Sequence, residues 1–485
     1  MNPSSKIACV AVLIGLVLQS GTSVRAAEEK AELVRNPGFQ PGEKADLPAE
    51  WTLWKAEVPQ AVCRVQATSQ GLRVDAPREP MATGGVWQNV GGIQGGKAYA
   101  IRVTARAQAI DHPFRSVLVR LTWLDHGKPL HPAGALVRGP LAAPATTLAG
   151  KQPVPPAAPA TTLAGKQPVP PLVFDDVLVA PKEADGARLS LELKWPGGGS
   201  ICWQRASLRP AELPKPRKVK IGTVYLRPNQ STPEKNLELF AGQIDAAGKL
   251  GLDIVCLPEA ITMVGTGKSG PQTAEPIPGP STRRLGQAAR ANRIWVVAGL
   301  YEKEGSRVYN TAVLLDRQGQ LAGTYRKVHL PREEWDKGVT PGHEYPVFQT
   351  DFGTVAIQIC YDWFFPEIGT IWGLKGAEIV FAPTWGTTFP DREGRVEGET
   401  VFRVRARDNG IFLVPSVYDG NSMIIDPMGR ILASNKGREG VFWAEVDLAD
   451  REALWWVGHW RAIGPRDRMP ETYRPLLSDP AGPTY

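Results

Sequence analysis

Residues 219–260 read VKIGTVYLRPNQSTPEKNLELFAGQIDAAGKLGLDIVCLPEA and combine two periodicities. Residues 220–226 and 253–257 are apolar runs of strand length. Between these runs, apolar residues recur every three or four positions, as on one face of a helix. A strand, a helix and a second strand in this order predict an α/β domain whose sheets are covered by helices.

The same interleaving continues towards the C-terminus, so we assign residues 219–475 to this domain and residues 476–485 to a tail. Further helices are predicted at 281–292, 366–374 and 399–408. Further strands are predicted at 295–301, 310–315, 321–328, 353–360, 378–383, 411–417, 422–425 and 442–446.

The chain changes character at residues 213–218, LPKPRK, which have the composition of a linker. Before it, short alternating runs between turn residues predict an all-β sandwich or jelly roll over residues 27–212. Within that domain, the fifteen residues 142–156 recur unchanged at 157–171. Because two proline-rich copies cannot bury a core, we interpret 142–171 as a duplicated low-complexity surface loop. The predicted strands are 71–75, 85–90, 98–107, 116–124, 172–179, 188–195 and 200–208.

The first 26 residues are typical of a signal peptide, with Lys6 before an apolar stretch and small residues up to Ala26. We therefore expect an exported protein, periplasmic or extracellular, without a membrane span. An oxidising compartment leaves open whether Cys63 and Cys202 pair or stay free thiols. The net charge of +7 is spread without a run of five like charges, which argues against nucleic-acid binding. The six histidines show no ligand spacing, so no metal site or cofactor is predicted.

Three short segments place a reactive side chain where a predicted strand ends. They are VCLPEA with Glu259, TYRKVHL with Lys327 and ICYDWFFPE with Cys360. Strand ends that face loops are common positions for catalytic groups. A carboxylate after a buried run must be paired or functional, because an isolated buried charge is costly.

These three blocks, in this order, resemble those of the carbon–nitrogen hydrolase (nitrilase) superfamily, over about residues 218–475. The resemblance implies a four-layer αββα sandwich with Glu259 as general base, Lys327 as its partner and Cys360 as nucleophile. A second active-site glutamate of many members maps to PREEWDKGVTPG, where we assign it to Glu334.

The chemistry of these residue types fits the implied roles. A cysteine attacks as thiolate, so it needs a base such as Glu259 and benefits from a nearby ammonium such as Lys327. Lys327 and the backbone N–H of Tyr361 would stabilise the oxyanion formed when an amide is attacked. A thioester would form and then be hydrolysed by water.

The residues after the nucleophile bear on the substrate. Tyr361 and Asp362 there resemble amidases and carbamoyl-amide hydrolases more than nitrile hydrolysers. Trp363 and Phe364 stand where hydrolysers of N-carbamoyl amino acids use Arg, which disfavours that substrate class. Trp363, Phe364 and Trp385 are candidates to line a substrate pocket, with core packing as the alternative.

A rival hypothesis is a carbohydrate-binding protein on an inactive hydrolase-like scaffold; nitrile hydrolysis by the same triad is a further alternative. The first domain resembles carbohydrate-binding-module-like jelly rolls through residues 33–39 and 84–90. Its tryptophans would either stack on sugar rings or pack in the core. They are Trp54, Trp87, Trp123 and Trp203. The aromatic stretch 454–460, LWWVGHW, predicts a homodimer or larger homo-oligomer.

Overall fold

The computed structural model describes residues 32–42, 46–131, 134–139, 171–386, 397–450 and 452–477. The predicted signal peptide and residues 142–170 of the duplicated loop lie outside the described residues. The chain divides into two compact units, one made of residues 1–214 with 452–485 and the other of residues 215–451. The described residues contain no helix of the length and apolarity needed to cross a bilayer.

The first unit is a sandwich of two mainly antiparallel sheets, as predicted from its alternating runs. One sheet has the order β1-β4-β10-β6-β7 with β8 beside β6, and the other has the order β2-β3-β11-β5-β9. Their apolar faces share one core. The strands are β1 (Thr52–Lys55), β2 (Arg64–Thr68), β3 (Gly71–Asp75), β4 (Thr83–Val90), β5 (Ala98–Gln108), β6 (Val117–Asp125), β7 (Lys128–Pro129), β8 (Ala135–Leu136), β9 (Leu172–Val179), β10 (Gly186–Lys194) and β11 (Ser200–Ala211), with a short helix α1 (Pro113–Ser116).

The tryptophans of this sandwich divide between core and surface. Trp203 and Trp123 are 0% and 8% exposed, so core packing, not stacking on a sugar, accounts for both. Trp87 lies under the guanidinium of Arg188, 4.3 Å from the ring centroid. Trp54 is 40% exposed, so core packing does not account for it. Cys63 and Cys202 are both free thiols.

The second unit contains two six-stranded sheets, ordered β16-β15-β14-β13-β12-β23 and β17-β18-β19-β20-β21-β22. Its strands are β12 (Lys218–Tyr225), β13 (Ile254–Cys256), β14 (Trp295–Glu304), β15 (Arg307–Leu315), β16 (Leu321–Arg326), β17 (Val347–Gln349), β18 (Thr354–Ile357), β19 (Ile379–Pro383), β20 (Phe412–Ser416), β21 (Met423–Ile425), β22 (Ile431–Ser434) and β23 (Gly440–Asp447). Its helices are α2 (Pro233–Lys249), α3 (Gly270–Thr273), α4 (Pro280–Asn292), α5 (Arg332–Trp335), α6 (Pro366–Leu374) and α7 (Glu397–Asn409), with a 3₁₀ turn at Cys360–Phe364.

Two apolar cores make this unit a four-layer αββα sandwich, which confirms the predicted fold class. Phe240 of α2 and Leu285 of α4 pack against the first sheet. The inner faces of the two sheets meet in a second core, to which Trp372 of α6 and Phe402 of α7 also belong. The central strands β13, β19 and β20 are buried on both faces, which explains why they read as continuous apolar runs rather than alternating ones.

The C-terminal segment groups with the first unit, whereas the sequence analysis assigned residues up to 475 to the α/β domain. Its helix α8 (Trp460–Asp467) places Ile463 against Leu118 and Leu136 of the sandwich. Arg466 donates to the backbone oxygen of Phe114, and burial lowers the pKa of its guanidinium to about 10. 3₁₀ turns follow at Pro470–Thr472 and Arg474–Leu477.

Candidate active site

Glu259 lies three residues beyond the end of β13, where the chain leaves the first sheet. The neighbouring strand β14 fixes this position through Gly299, whose N–H donates to Pro258 O at 3.1 Å and whose oxygen accepts from Ile261 N at 2.9 Å. A Cβ at Gly299 would come within 2.6 Å of Glu259 Cα, so only glycine permits this approach. The hydroxyl of Tyr418 donates to the backbone oxygen of Glu259 at 2.7 Å.

Lys327 follows directly after β16 and joins Glu259 to Glu334. Its Nζ lies 2.9 Å from Glu259 Oε1 and 2.7 Å from Glu334 Oε2. Glu334 lies on α5, the short helix that follows. All three residues are buried: Glu259 is 4% exposed, Lys327 1% and Glu334 6%. The structure therefore brings together three residues that the sequence analysis selected separately.

Asn310 belongs to the same cluster and was missed by the sequence analysis. It is fully buried on β15, and its Nδ2 donates to Glu259 Oε1 at 2.7 Å and to Glu334 Oε1 at 2.5 Å. Its backbone oxygen accepts from Lys327 N at 2.8 Å. Tyr301, also not selected, donates to Glu334 Oε1 at 2.8 Å. The sequence feature that could have indicated Asn310 is its position within the mostly apolar run 308–315.

Burial and pairing together set the charges of this cluster. Burial alone would lower the pKa of Lys327, but Glu259 and Glu334 raise it well above the ordinary value, so the ammonium stays charged. Burial raises the pKa of Glu259; Lys327 opposes that shift, Glu334 adds to it, and the hydrogen bond from Asn310 lowers it. Glu259 Oε2 has no hydrogen-bond partner among the described residues. That oxygen is therefore available to accept a proton.

Cys360 opens the 3₁₀ turn that follows β18 and is partly exposed. Its φ of 41° lies in the left-handed region, an arrangement that costs about 1–3 kcal/mol and needs support from its surroundings. The fully buried Asp362 gives that support. Its Oδ2 accepts from Ile359 N at 3.0 Å and from Tyr325 OH at 2.7 Å, and its Oδ1 accepts from His329 N at 3.0 Å. Asp362 thus ties the turn of Cys360 to the segment that carries Lys327.

The surroundings of Cys360 favour the protonated thiol over the thiolate. Burial raises the pKa of Cys360, and the charge of Glu259 raises it further. Lys327 and a backbone hydrogen bond from Trp385 lower it, but they do not outweigh the first two effects. The nearby ammonium therefore does not suffice to make a resting thiolate. The proton has to leave the sulfur during attack, which requires a base.

The remaining predicted site residues have different surroundings. Tyr361 is the second residue of the 3₁₀ turn, where backbone N–H groups lack partners within the turn. Trp363 is 2% exposed and belongs to the core between the sheets. Phe364 is 41% exposed and stacks on Trp363 with centroids 4.0 Å apart. Trp385 is partly buried against Tyr418, with centroids 5.3 Å apart.

The site therefore combines a buried glutamate–lysine cluster and a cysteine, all at strand ends of a four-layer αββα sandwich. A family model described as carbon-nitrogen hydrolase matches residues 220–454. A probable nitrilase of Schizosaccharomyces pombe is 30% identical over 279 residues, which cover 54% of this chain and 99% of that protein. The chain therefore belongs to the carbon–nitrogen hydrolase (nitrilase) superfamily and is an enzyme.

The chain is also similar to proteins named as omega-amidases. The omega-amidase NIT2 of Homo sapiens is 30% identical over 237 residues, 45% of this chain and 85% of that protein. The crystal structure of Nit3 of Saccharomyces cerevisiae, a member of the same superfamily, is 26% identical with a TM-score of 0.43, covering 47% of this chain and 90% of that one.

Proposed function

We propose that the chain is an exported, metal-independent amidase that hydrolyses non-peptide amide or carbamoyl-amide bonds through a thioester on Cys360. One observation carries the proposal. The buried, charged Lys327 lies between the carboxylates of Glu259 and Glu334. Oε2 of Glu259 has no hydrogen-bond partner among the described residues, and the charge of the same carboxylate raises the pKa of the Cys360 thiol. The omega-amidase relatives support an amide as the substrate class.

In the first half of the reaction, Glu259 accepts the thiol proton as sulfur attacks the amide carbon. The carbon–sulfur bond forms while the carbonyl π electrons move to oxygen. The Lys327 ammonium and the Tyr361 N–H stabilise this oxyanion; one such donor contributes about 10²–10³ in rate. Collapse of the intermediate breaks the carbon–nitrogen bond. The proton held by Glu259 passes to the leaving nitrogen, which departs as ammonia or an amine.

In the second half, Glu259 takes a proton from water, and the resulting hydroxide attacks the thioester carbon. The same donors stabilise the second oxyanion. The carbon–sulfur bond breaks, the sulfur regains a proton from Glu259, and the carboxylic acid leaves. Glu334 acts through Lys327. Its carboxylate lies 2.7 Å from the Lys327 ammonium, so it holds the ammonium in position and keeps the ammonium charged.

The burial of Trp363 narrows the candidates for substrate contact to Phe364 and Trp385. Phe364 is 41% exposed, and the backbone of Trp385 forms a hydrogen bond that lowers the pKa of the Cys360 thiol. An apolar wall at these two positions favours amides with an uncharged acyl group over amides that carry a second carboxylate.

The decisive experiment is a panel of small aliphatic, aromatic and carbamoyl amides, with simple nitriles included. Mass spectrometry under turnover should show an acyl adduct on Cys360, and Cys360→Ala should abolish both the adduct and product formation. Cys202→Ala, which removes another partly exposed thiol, is the matched control and should be fully active. Full turnover by Cys360→Ala would refute the thioester. Hydrolysis of nitriles without hydrolysis of amides would show that the enzyme is a nitrilase and not an amidase.

Two further measurements test the remaining parts of the proposal. Activity should survive exhaustive chelation; its loss would refute metal independence. Sequencing the N-terminus of the protein recovered from its native host should give Ala27. Recovery of the full-length chain from the cytosol would refute export.

A further inference from the structure

The outer face of the six-stranded sheet of the first unit holds a cleft of about 460 Å³. Volumes of roughly 300–1,000 Å³ are typical of small-ligand sites. Trp54 and Trp195 form part of its walls, and C-terminal helix α8 contributes Asp467. No role in the amide chemistry accounts for this cleft.

The two tryptophans are exposed rather than buried in the core of the sandwich. Trp54 is 40% exposed and Trp195 is 48% exposed. Trp195 also has a φ of 48°, a left-handed conformation that large side chains avoid. Its N–H donates to Ala82 O at 2.8 Å, which holds the backbone in place. Backbone strain that presents an aromatic ring to solvent is typical of a binding site rather than of a core.

Strand register places polar groups between these rings. Gly85 of β4 pairs with Trp54 on one side and with Glu192 on the other, so no side chain stands between that indole and the carboxylate in this row of the sheet. Glu192 accepts from Arg120 through Nε at 3.0 Å and Nη2 at 3.3 Å. Donors and acceptors therefore lie side by side in the cleft.

A second ion pair makes the cleft electrically neutral. Lys194 Nζ lies 2.5 Å from Asp467 Oδ1 and 4.8 Å from the Trp195 ring centroid. Two cations and two carboxylates cancel, so the cleft has no net charge with which to select an anion or a cation. It nevertheless offers many hydrogen-bonding groups, which disfavours a purely apolar ligand.

From these features we propose that the cleft binds a neutral oligosaccharide. A pyranose ring has C–H faces that stack on indole, and its hydroxyls both donate and accept, so it matches paired guanidinium–carboxylate and ammonium–carboxylate groups. Because a neutral saccharide carries no charge, the cleft does not need an unpaired charge of its own to bind it. The proposed occupant is thus apolar on its ring faces, polar on its edges and neutral overall, as the cleft requires.

Calorimetric titration of the full-length protein tests this directly. The probes are the neutral hexasaccharides cellohexaose, xylohexaose, mannohexaose and chitohexaose, with trigalacturonate as an anionic comparison. We expect at least one neutral probe to bind. Trp54→Ala and Trp195→Ala should each weaken that binding roughly tenfold or more, equivalent to about 1.4 kcal/mol, while Trp54→Tyr should restore most of it by keeping a ring.

The chain offers a matched control. Trp443 is 41% exposed and has Lys220 Nζ 5.6 Å over its ring, much as Trp195 has Lys194, but it lies on β23 of the other unit. Trp443→Ala should leave saccharide affinity unchanged, and all four variants should hydrolyse small amides normally. Absence of binding to every neutral probe at millimolar concentration would overturn the proposal. So would preference for trigalacturonate, or binding that survives loss of both Trp54 and Trp195.

Discussion

Replacing Asn310 by leucine tests the electrostatics of the catalytic cluster, because the change keeps the branched shape and removes the amide. Two hydrogen bonds to carboxylates are lost, at 2.7 Å to Glu259 and 2.5 Å to Glu334. Each such bond contributes about 1.5–3 kcal/mol, so the free energy of unfolding at neutral pH should fall by about 3–6 kcal/mol. That is a large part of the roughly 5–15 kcal/mol available to a domain.

The pH dependence separates this mechanism from a merely structural defect. Asn310 lowers the pKa of Glu259, so its loss raises that pKa further above the unfolded value. A carboxyl whose folded pKa is raised contributes stability at low pH that is lost as pH rises. The defect of Asn310→Leu should therefore shrink on acidification. Because only ionised Glu259 accepts the thiol proton, the acid limb of kcat/KM should move to higher pH, with about tenfold or more loss at a fixed pH on that limb.

The prediction is tested by measuring the free energy of unfolding, from chemical denaturation, and kcat/KM, each as a function of pH. The matched control is Asn292→Leu, because Asn292 also donates to a carboxylate, Asp245 at 2.7 Å, but between α2 and α4. It should lower stability without moving the pH profile of activity. An acid limb that stays in place in Asn310→Leu, or that moves equally in Asn292→Leu, would refute the reasoning.

Four other results are expected. Glu334→Gln should lower kcat about 10–100-fold with little change in KM, since it weakens the hold on the ammonium and not the substrate; a change in KM alone would contradict this. A fragment of residues 215–451 should hydrolyse small amides, and one that also carries 452–485 should be less soluble; inactivity of both would show that the two units act together. Deleting residues 157–171, of which 157–170 lie outside the described residues, should change stability by well under about 1 kcal/mol by thermal unfolding. Light scattering should give at least a dimer, with 454–460 at its interface, and a one-chain mass at micromolar concentration would count against it.

Local patterns were enough to select the candidate residues of the site. Glu259, Lys327 and Cys360 each stand just beyond a strand of the second unit, and the ends of these strands can be predicted from the sequence. Asn310 lies inside β15 and looks like one polar position in a strand. Its role appears only when β14 and β16 pair on either side of β15 and bring the cluster together.

Burial across a sandwich was harder to predict than the strands themselves. Strand alternation shows that two faces differ but not which aromatic ring is covered by the opposite sheet. Trp203 and Trp54 have similar local sequence surroundings, yet one is fully buried and the other 40% exposed. The course of residues 452–485 gave no local signal either, because it depends on contacts such as Ile463 with Leu118, across hundreds of residues.

The return of that C-terminal segment makes the first unit discontinuous, with residues 215–451 inserted between its two parts. As the chain emerges from its N-terminus onwards, the inserted hydrolase unit is complete and able to fold while the sandwich still lacks α8. The sandwich begins synthesis first and is completed last. A premature stop after residue 451 would therefore leave an intact hydrolase unit beside a sandwich whose apolar face at Leu118 is uncovered, so such nascent chains should be recognised by chaperones through the N-terminal unit and not through the enzyme.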